Sequence, residues 1–159
     1  MASAPPPLPG TYALLVKLPD GLRVKVRGRT HLLAPGTYVY VGSALGPGGL
    51  RARLVRHFSR SKRLRWHIDQ VTCTVAPMLA VYAVSSEKLE CALVSELLRR
   101  GFRAPVRGFG SSDCSQGCPA HLLACSSSLP RCLRLILEAF LALRLRPRLL
   151  YHLHPADSF

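Results

Sequence analysis

The sequence predicts an α+β fold, with a small antiparallel β-sheet, helices packed on it and one extra helix at the C-terminus. Two observations support this class. Segments rich in β-forming residues follow one another through tight turns, and later segments carry apolar residues at helical spacing. The chain has 159 residues, of which 48% are hydrophobic, so it can bury one core of ordinary size. We therefore expect a single small folded domain.

Three strands are predicted in the N-terminal part of the chain. The first is the apolar run 12–16, the second is 22–26, where apolar and basic residues alternate, and the third is 37–41. Turns at 19–21 (Pro-Asp-Gly) and 35–36 (Pro-Gly) separate them, because Pro fixes φ and Gly accepts a positive φ. Short connections of this kind favour an antiparallel meander.

The later elements follow a glycine-rich loop at 42–49. We predict a helix at 50–58, a strand at 71–84 interrupted near Pro77, a helix from Ser85 or Ser86 to Arg100, and a Leu/Arg-rich helix at 131–144. Residues 102–126 are expected to form a cysteine-bearing loop. The pattern thus places most helical residues in the second half of the chain.

Composition divides the chain into three parts. Residues 1–9 are predicted to be a flexible Pro-rich leader, 10–126 the folded domain, and 127–159 a helical extension. We expect the C-terminal helix of the extension to dock on the domain, with a partner protein or an acidic membrane as the alternatives.

The sequence also predicts a cellular location. No uncharged apolar run reaches the roughly 18 residues of a membrane span, and the N-terminus lacks the regions of a secretion signal. We therefore expect an intracellular protein, cytoplasmic or nuclear. In that setting the six cysteines are predicted to be thiols or metal ligands rather than a disulfide framework.

The charge balance points to an anionic partner. The formal net charge is +14, which attracts phosphate polymers or acidic lipid, although an arginine-rich composition can arise without function. The glycine-rich loop leads into a basic run with no acid before Asp69: Arg51, Arg53, Arg56, Arg60, Lys62, Arg63 and Arg65. A solvated basic face is the ordinary interpretation. We predict instead that this run, with Ser43 in the loop, binds nucleic acid.

The loop before this helix supports the same partner. Free N–H groups at a helix start favour anions. The loop lacks the Gly-Lys-Ser/Thr ending of a nucleotide P-loop, so a nucleoside triphosphatase is disfavoured.

Glu90 is the most informative acidic residue. On a helical wheel it falls within the arc of leucines and valine that faces the core, whereas Glu87 and Glu96 lie at its margins. A buried carboxylate needs a partner, because an unpaired buried charge is strongly unfavourable. The partner is either an arginine, in a structural ion pair, or a Mg²⁺ ion.

A second candidate metal site contains cysteine and histidine. Cys114, Cys118 and His121 have spacing that suits a zinc ion, with Cys125 or Cys91 as the fourth ligand, although simple thiols in a packed loop are the plainer interpretation. His67 and Asp69 would share a face if they lie on a strand, as support for a site or as a hydrogen-bonded pair.

A strand tyrosine alone is usually a packed aromatic. Tyr12 and Tyr40 are candidate site residues because of the motifs in which they stand. The segments 10–12 (Gly-Thr-Tyr) and 40–42 (Tyr-Val-Gly) resemble the two motifs that name the GIY-YIG nuclease superfamily. Leu50, Arg53 and His57 match the family's Leu-x-x-Arg-x-x-x-His/Tyr helix. Glu90, with the apolar pair Leu93 and Val94, matches its glutamate motif.

The resemblance extends to one branch of that superfamily, found alone or fused to DNA-repair glycosylases. Members of that branch carry sequence motifs like those at 40–46 (Tyr-Val-Gly-Ser-Ala-Leu-Gly), 66–69 (Trp-His-Ile-Asp) and 108–114 (Gly-Phe-Gly-Ser-Ser-Asp-Cys). Each motif is short, and their ordered combination over residues 10–126 is what makes the resemblance specific.

The resemblance implies a metal-dependent DNA endonuclease, either structure-selective or weakly specific, that acts in DNA repair. Tyr40 would help to deprotonate a water, with Tyr12 beside it, and Arg53 and His57 would bind the scissile phosphate. Glu90 would hold one divalent ion, Mg²⁺ or Mn²⁺.

Two features depart from the family pattern. The loop between Tyr40 and Arg53 is longer than in the nuclease halves of excision-repair enzymes, and Ser112 or Asp113 stands where a late asparagine is expected. Two other functions stay open: a nucleic-acid-binding module that keeps the pocket without turnover, and a zinc-stabilised interaction domain.

Overall fold

The computed structural model describes residues 4–111, Cys114 and residues 116–151, and it has the predicted α+β fold. The strands are β1 (Gly10–Leu18), β2 (Leu22–Val26), β3 (Arg29–Leu33), β4 (Gly36–Ala44), β5 (Leu79–Val84), β6 (Leu122–Cys125) and β7 (Arg148–Tyr151). The helices are α1 (Gly49–Phe58), α2 (Asp69–Thr72), α3 (Glu90–Arg99) and α4 (Leu129–Ala142).

The main sheet has five strands in the order β6-β4-β1-β5-β7, and all neighbours are antiparallel. β1 lies at its centre, where Tyr12 is opposite Gly42 of β4 and Tyr82 of β5. The nearly continuous apolar sequence of β1 is explained by this position, because both of its faces are covered.

The predicted meander is wrong. β2 pairs with β3 in a separate two-stranded sheet, and β1 pairs with β4 instead. The reason is the two-residue turn at Arg27 and Gly28, whose φ angles are 52° and 76°. Positive φ at both central positions is the geometry of a tight hairpin, so β2 pairs locally with the unpredicted β3.

Helices cover both faces of the main sheet. On one face, Tyr12 and Leu14 of β1 share a core with Leu50 and Leu54 of α1 and with the β2–β3 hairpin. On the other face lies a second core that α3 and α4 share with β1, β4 and β5; its members include Leu93, Leu97, Ile136 and Phe140. Tyr12 and Tyr40 thus face α1, whereas α3, which begins at Glu90, packs on the opposite face.

Three elements after α1 differ from prediction. The segment 71–84 contains the end of α2 and then β5, so it is not one strand. Residues 122–125, predicted as loop, form β6, which pairs with Thr37–Tyr40 of β4. Helix α3 begins at Glu90 rather than at Ser85 or Ser86, and the Ser85 hydroxyl accepts a hydrogen bond from Glu87 N (3.1 Å).

The described part of the leader, residues 4–9, lies against α1. Leu50 N donates to Leu8 O (2.8 Å), and Arg51 N donates to Pro6 O (3.2 Å). Carbonyl groups of the chain thus occupy N–H groups at the start of α1. The expectation that these groups are free to bind an anion is therefore wrong.

The described part of the C-terminal extension, residues 127–151, belongs to the same fold. Ile136 and Phe140 of α4 are fully buried against α3 and the sheet, and β7 pairs with β5. Among the described residues, none of the helices has the length and apolarity needed to cross a membrane.

Candidate functional site

Tyr12, Tyr40 and His57 form a buried cluster between the sheet and α1. The Tyr12 hydroxyl lies 2.7 Å from His57 Nε2, and the ring centroids of Tyr40 and His57 are 6.1 Å apart. Gly42 is required beside them, since a Cβ there would overlap Tyr12, with Cε2 at 3.0 Å. This contact gives a packing reason for the Tyr40-Val41-Gly42 motif.

All three side chains are neutral near pH 7. Burial raises the pKa of Tyr12 and of Tyr40 above the ordinary value for a phenol, and this effect outweighs the lowering by Arg53. Burial, reinforced by Lys62 and Arg53, lowers the pKa of His57 to about 3. The cluster therefore holds two protonated phenols and one uncharged imidazole.

Arg53 is the cation that acts on both phenols of this cluster. Its guanidinium lowers the pKa of both phenols, and it donates a hydrogen bond that favours ionised Tyr12. The same group stacks on the Trp66 ring, 4.5 Å from the centroid. The i,i+4 spacing in α1 places Arg53 and His57 on one face, as the sequence indicates.

Glu90 is buried, as predicted, and is the first residue of α3, where the helix dipole favours a carboxylate. It accepts a hydrogen bond from the Ser43 hydroxyl, and Lys88 Nζ lies 3.7 Å from Oε1. Lys88 is well exposed, and among the described residues Glu90 has no buried arginine partner of the kind that a structural ion pair would supply. Ser43 is thus a partner of this carboxylate, and its predicted contact with nucleic acid stays a prediction.

The five predicted catalytic residues are brought into one region. Glu90 raises the pKa of Tyr12 and Tyr40, after the larger effect of their burial, so its charge is close to both. The hydrogen bonds and ion pairs between described residues do not join Glu90 directly to Tyr40 or Arg53. The site thus gathers a carboxylate, a guanidinium and two phenols without closing them into one hydrogen-bonded network. Ser112 and Asp113 lie outside the described residues.

The basic run is partly matched within the protein. Arg56 binds both carboxylate oxygens of Asp69, at 2.8 Å each, so the prediction of an unmatched run is wrong for this residue. Asp69 is fully buried. Burial raises its pKa, but Arg56 and the N–H groups of Trp66 and Arg65 lower it to about 2. Asp69 and Arg56 therefore form a structural ion pair.

Among the described residues, no salt bridge joins the other cations of this run to a carboxylate. Arg51, Arg60 and Lys62 donate to backbone carbonyls, and Arg65 lies over Trp66, 5.2 Å from its centroid. Arg63 is exposed. Nucleic-acid binding by these residues stays a prediction.

Sequence reasoning missed Trp66 and Gly110 as organisers of this region. His67 and Asp69 do not lie on a strand; His67 Nδ1 accepts a hydrogen bond from Gly110 N (2.8 Å), whereas Asp69 begins α2. The sequence did contain a signal for a cation–aromatic stack, since its single tryptophan follows directly after Arg65 and the basic run.

A second cluster contains Cys91, Cys114, Cys118 and His121, whose ligand atoms all lie within 4.8 Å of one another. Cys91 Sγ is 2.9 Å from Cys114 Sγ and 3.8 Å from His121 Nε2. Burial, with a smaller effect of Lys88, lowers the pKa of His121, which favours the neutral imidazole. Three sulfurs and one imidazole can hold a metal ion.

Two disulfides correct the prediction made for the cysteines. Cys125 is joined to Cys132, because β6 and the start of α4 bring their Cα atoms to 6.2 Å. Cys125 is therefore not the fourth ligand of the cluster. Cys91 is joined to Cys118, with Cα atoms 5.9 Å apart, so metal binding requires this pair to be reduced. Cys73 and Cys114 are free.

A cavity of about 630 Å³ lies away from both clusters. The leader, the end of β5 and three arginines of the extension, Arg144, Arg146 and Arg148, form its walls. It contains none of the predicted catalytic side chains.

The fold and site define a small, basic α+β protein with a buried Tyr–His pair, an arginine and a carboxylate beside it, and an adjacent Cys/His cluster. The chain belongs to the family described as "Domain of unknown function DUF123", whose model matches residues 11–142. This range runs from β1 to the end of α4, so it includes both clusters. No curated protein and no solved structure shows a significant match.

Proposed function

We propose that the protein is a metal-dependent endonuclease that hydrolyses phosphodiester bonds in DNA, as its motif resemblance to GIY-YIG nucleases implies. One observation supports this most directly: Arg53 and Glu90, of opposite charge, both act on the same two buried phenols. Perturbed titratable groups gathered around one point are typical of a reaction site. The net charge of +14 suits a polyanionic substrate.

The proposed roles follow from burial and charge. Glu90 supplies a carboxylate ligand for Mg²⁺ or Mn²⁺, since hard oxygen donors suit these ions and Glu90 lacks a buried arginine partner. The bound ion supplies Lewis-acid stabilisation of negative charge on the phosphate oxygens. Arg53, only partly buried, binds the scissile phosphate.

The two tyrosines receive different roles. Tyr40 accepts the proton of the attacking water, which requires its raised pKa to fall when a metal cation enters the site. Tyr12 is almost fully buried and bonded to His57, so it orients the cluster. We assign His57 to holding Tyr12 rather than to binding phosphate, because it is buried and uncharged.

Cleavage of a panel of labelled DNAs tests the proposal. Single-strand, duplex, flap, bubble and abasic substrates are incubated with Mg²⁺ or Mn²⁺ and with wild type, Glu90→Gln, Arg53→Gln or Tyr40→Phe. Wild type should cleave at least one structure, and each variant should lose about 100-fold or more in rate while still binding DNA. Glu87→Gln, at an exposed position near the start of α3, is the matched control and should cleave normally.

Full activity in Glu90→Gln would contradict the role of this carboxylate. The second candidate function is a nucleic-acid-binding module, which the missing direct contact between Glu90 and Arg53 favours. In that case wild type and Glu90→Gln would bind the panel equally and neither would cleave.

For the Cys/His cluster we propose zinc as the metal. Three thiolates and one imidazole suit tetrahedral Zn²⁺ better than Mg²⁺, which prefers oxygen. Thiolate ligation requires a reducing compartment, which agrees with the proposed intracellular location. Elemental analysis of protein purified with a reductant should find close to one zinc per chain. Less than about a tenth of an equivalent would reject zinc and leave the zinc-stabilised interaction domain without support.

A further inference from the structure

The Cys/His cluster lies directly beside the proposed reaction site. Cys91 follows Glu90 in the first turn of α3, and the other three ligands belong to the segment that leads into β6. That segment is anchored to β4, since Val41 N donates to His121 O (2.9 Å). The cluster therefore joins the helix that carries Glu90 to the strand that carries Tyr40.

The same segment also packs on the Tyr40 ring. A Cβ at Gly110 would lie 2.9 Å from Tyr40 Cε2 and 3.2 Å from the His121 Cβ, so only glycine lets the backbone approach this closely. The φ of Gly110 is 73°, which also favours glycine. Hence the position of the segment determines one wall around Tyr40.

Glu90 has few other restraints. Its described side-chain partners are the Ser43 hydroxyl and the exposed Lys88. Between Phe102 and His121 the described chain has no helix or strand, and its only ladder contact is the bridge from Arg103 to Ala124. A cross-link at Cys91 is thus the strongest available restraint between α3 and this segment.

We infer that a zinc ion held by Cys91, Cys114, Cys118 and His121 is a positioning centre that fixes Glu90 relative to Tyr40. This inference rests on one part of the function proposed above, the role of Glu90 as a ligand of Mg²⁺ or Mn²⁺ beside Tyr40. In this role the four ligands act through Glu90 and Tyr40 rather than on the phosphate or the attacking water. Outer-shell groups of this kind typically change metal affinity by about 10–100-fold.

The zinc form and the Cys91–Cys118 disulfide exclude each other. A dithiol reductant gives two electrons and two protons to the disulfide and becomes a disulfide itself, which leaves two thiols. Zn²⁺ then binds the three cysteine sulfurs and the His121 imidazole, and three protons are released. Hydrogen peroxide oxidises the Cys91 and Cys118 thiolates to the disulfide, takes up two protons and becomes two waters. Zn²⁺ is then released, and the Cys114 thiolate takes up the third proton.

The experiment compares full-length wild type, reduced and zinc-loaded, with Cys114→Ser and with Cys73→Ser. Cys114→Ser removes one ligand, whereas Cys73 is free and lies outside the cluster, so it is the matched control. Zinc per chain, Mn²⁺ binding without DNA by electron paramagnetic resonance, and the Mn²⁺ concentration for half-maximal cleavage are measured. Cobalt substitution tests thiolate ligation by its absorption spectrum.

Cys114→Ser should lose zinc and the cobalt–thiolate absorption, and should bind Mn²⁺ about tenfold more weakly, whereas Cys73→Ser should match wild type. Chelator-stripped wild type should show the same weakening and recover when zinc is restored, which separates positioning from irreversible misfolding. Loss of zinc with unchanged Mn²⁺ binding and cleavage would overturn the inference.

The Mn²⁺ measurement separates this inference from the proposed function. If no DNA is cleaved but Glu90→Gln and zinc removal both weaken Mn²⁺ binding, the endonuclease proposal fails and the positioning centre stands. If Glu90→Gln alone weakens Mn²⁺ binding, the positioning centre is rejected whatever the cleavage result.

Discussion

The hydroxyl of Tyr12 lies 2.7 Å from Nε2 of His57, and both side chains are buried between β1 and α1. Among the described residues, His57 Nδ1 has no hydrogen-bond partner. An imidazolium in this place would bury a charge without a carboxylate bonded to it. The pair is therefore stable only with the imidazole neutral.

This relationship predicts a pH-dependent stability. Unfolded His57 takes up a proton near its ordinary pKa of 6.5, whereas burial holds the folded pKa at about 3. Between these values the unfolded state binds more protons, so stability is present above pH 6.5 and is lost as the pH falls towards 3. His57→Gln removes this titration and should flatten the curve of unfolding free energy against pH. At pH 4 the variant should escape the loss of up to about 3 kcal/mol that His57 causes in wild type. Urea unfolding at several pH values measures it.

His121 also has a lowered pKa and titrates in both proteins, so the difference between the two curves isolates His57. Curves that remain parallel from pH 7 to pH 4 would show that His57 is not buried in the neutral form.

The sequence predicted the elements whose pattern is local. The alternation at 22–26, the helix at 50–58 and the buried position of Glu90 are all found in the structure, because residue spacing alone decides which face is apolar. The proximity of Glu90 to Tyr12 could not come from spacing, since it depends on how α3 docks beside the sheet.

Most of the misses come from competition between partners distant in sequence. β7 pairs with the edge of β5, and Leu8 O accepts a hydrogen bond from Leu50 N, a group that the sequence analysis left for an anion. Neither contact is visible in a window of a few residues. The β2–β3 hairpin is the exception, because it depends on a local turn at Arg27 and Gly28 that the sequence analysis did not identify.

The Arg56–Asp69 pair predicts a large effect of one neutral substitution. Asp69→Asn keeps the shape but leaves Arg56 without its carboxylate, and should lower the free energy of unfolding by about 3 kcal/mol. The folded pKa of about 2 lies below the ordinary 3.8, so the contribution is present above pH 3.8 and lost as the pH falls towards 2. Urea unfolding at pH 7 and at pH 3 measures both effects.

The control is Glu138→Gln, in an exposed pair with Arg134, which should change stability by less than about 0.5 kcal/mol. Equal losses in the two variants would contradict a special role for the buried carboxylate.

The Tyr-Val-Gly motif predicts a steric effect on stability that does not depend on catalysis. Gly42→Ala places a methyl group against the Tyr12 ring and should destabilise the protein by about 1–3 kcal/mol. Gly46→Ala is the control, because a Cβ there meets nothing within 4 Å and should have little effect. Thermal unfolding compares them; equal melting temperatures would show that the strand shifts to accept the methyl group.

Trp66 predicts a direct signal for nucleic-acid binding. It is the single tryptophan of the chain, and Arg53 and Arg65 lie 4.5 Å and 5.2 Å from its ring centroid. A phosphate bound by Arg53 should draw this guanidinium from the ring and change the emission. Titration with a single-stranded oligonucleotide should therefore give a saturable fluorescence change that weakens with salt.

Arg53→Gln should reduce the magnitude of the slope of log affinity against log salt concentration by about 1, because one phosphate is no longer neutralised. Arg99→Gln is the control, since Arg99 pairs with Glu96 on α3 and should leave the slope unchanged. If both variants keep the wild-type slope while binding persists, the phosphate lies elsewhere on the basic surface. Because the Arg53 contact is common to the endonuclease and the binding-module proposals, that result would count against both.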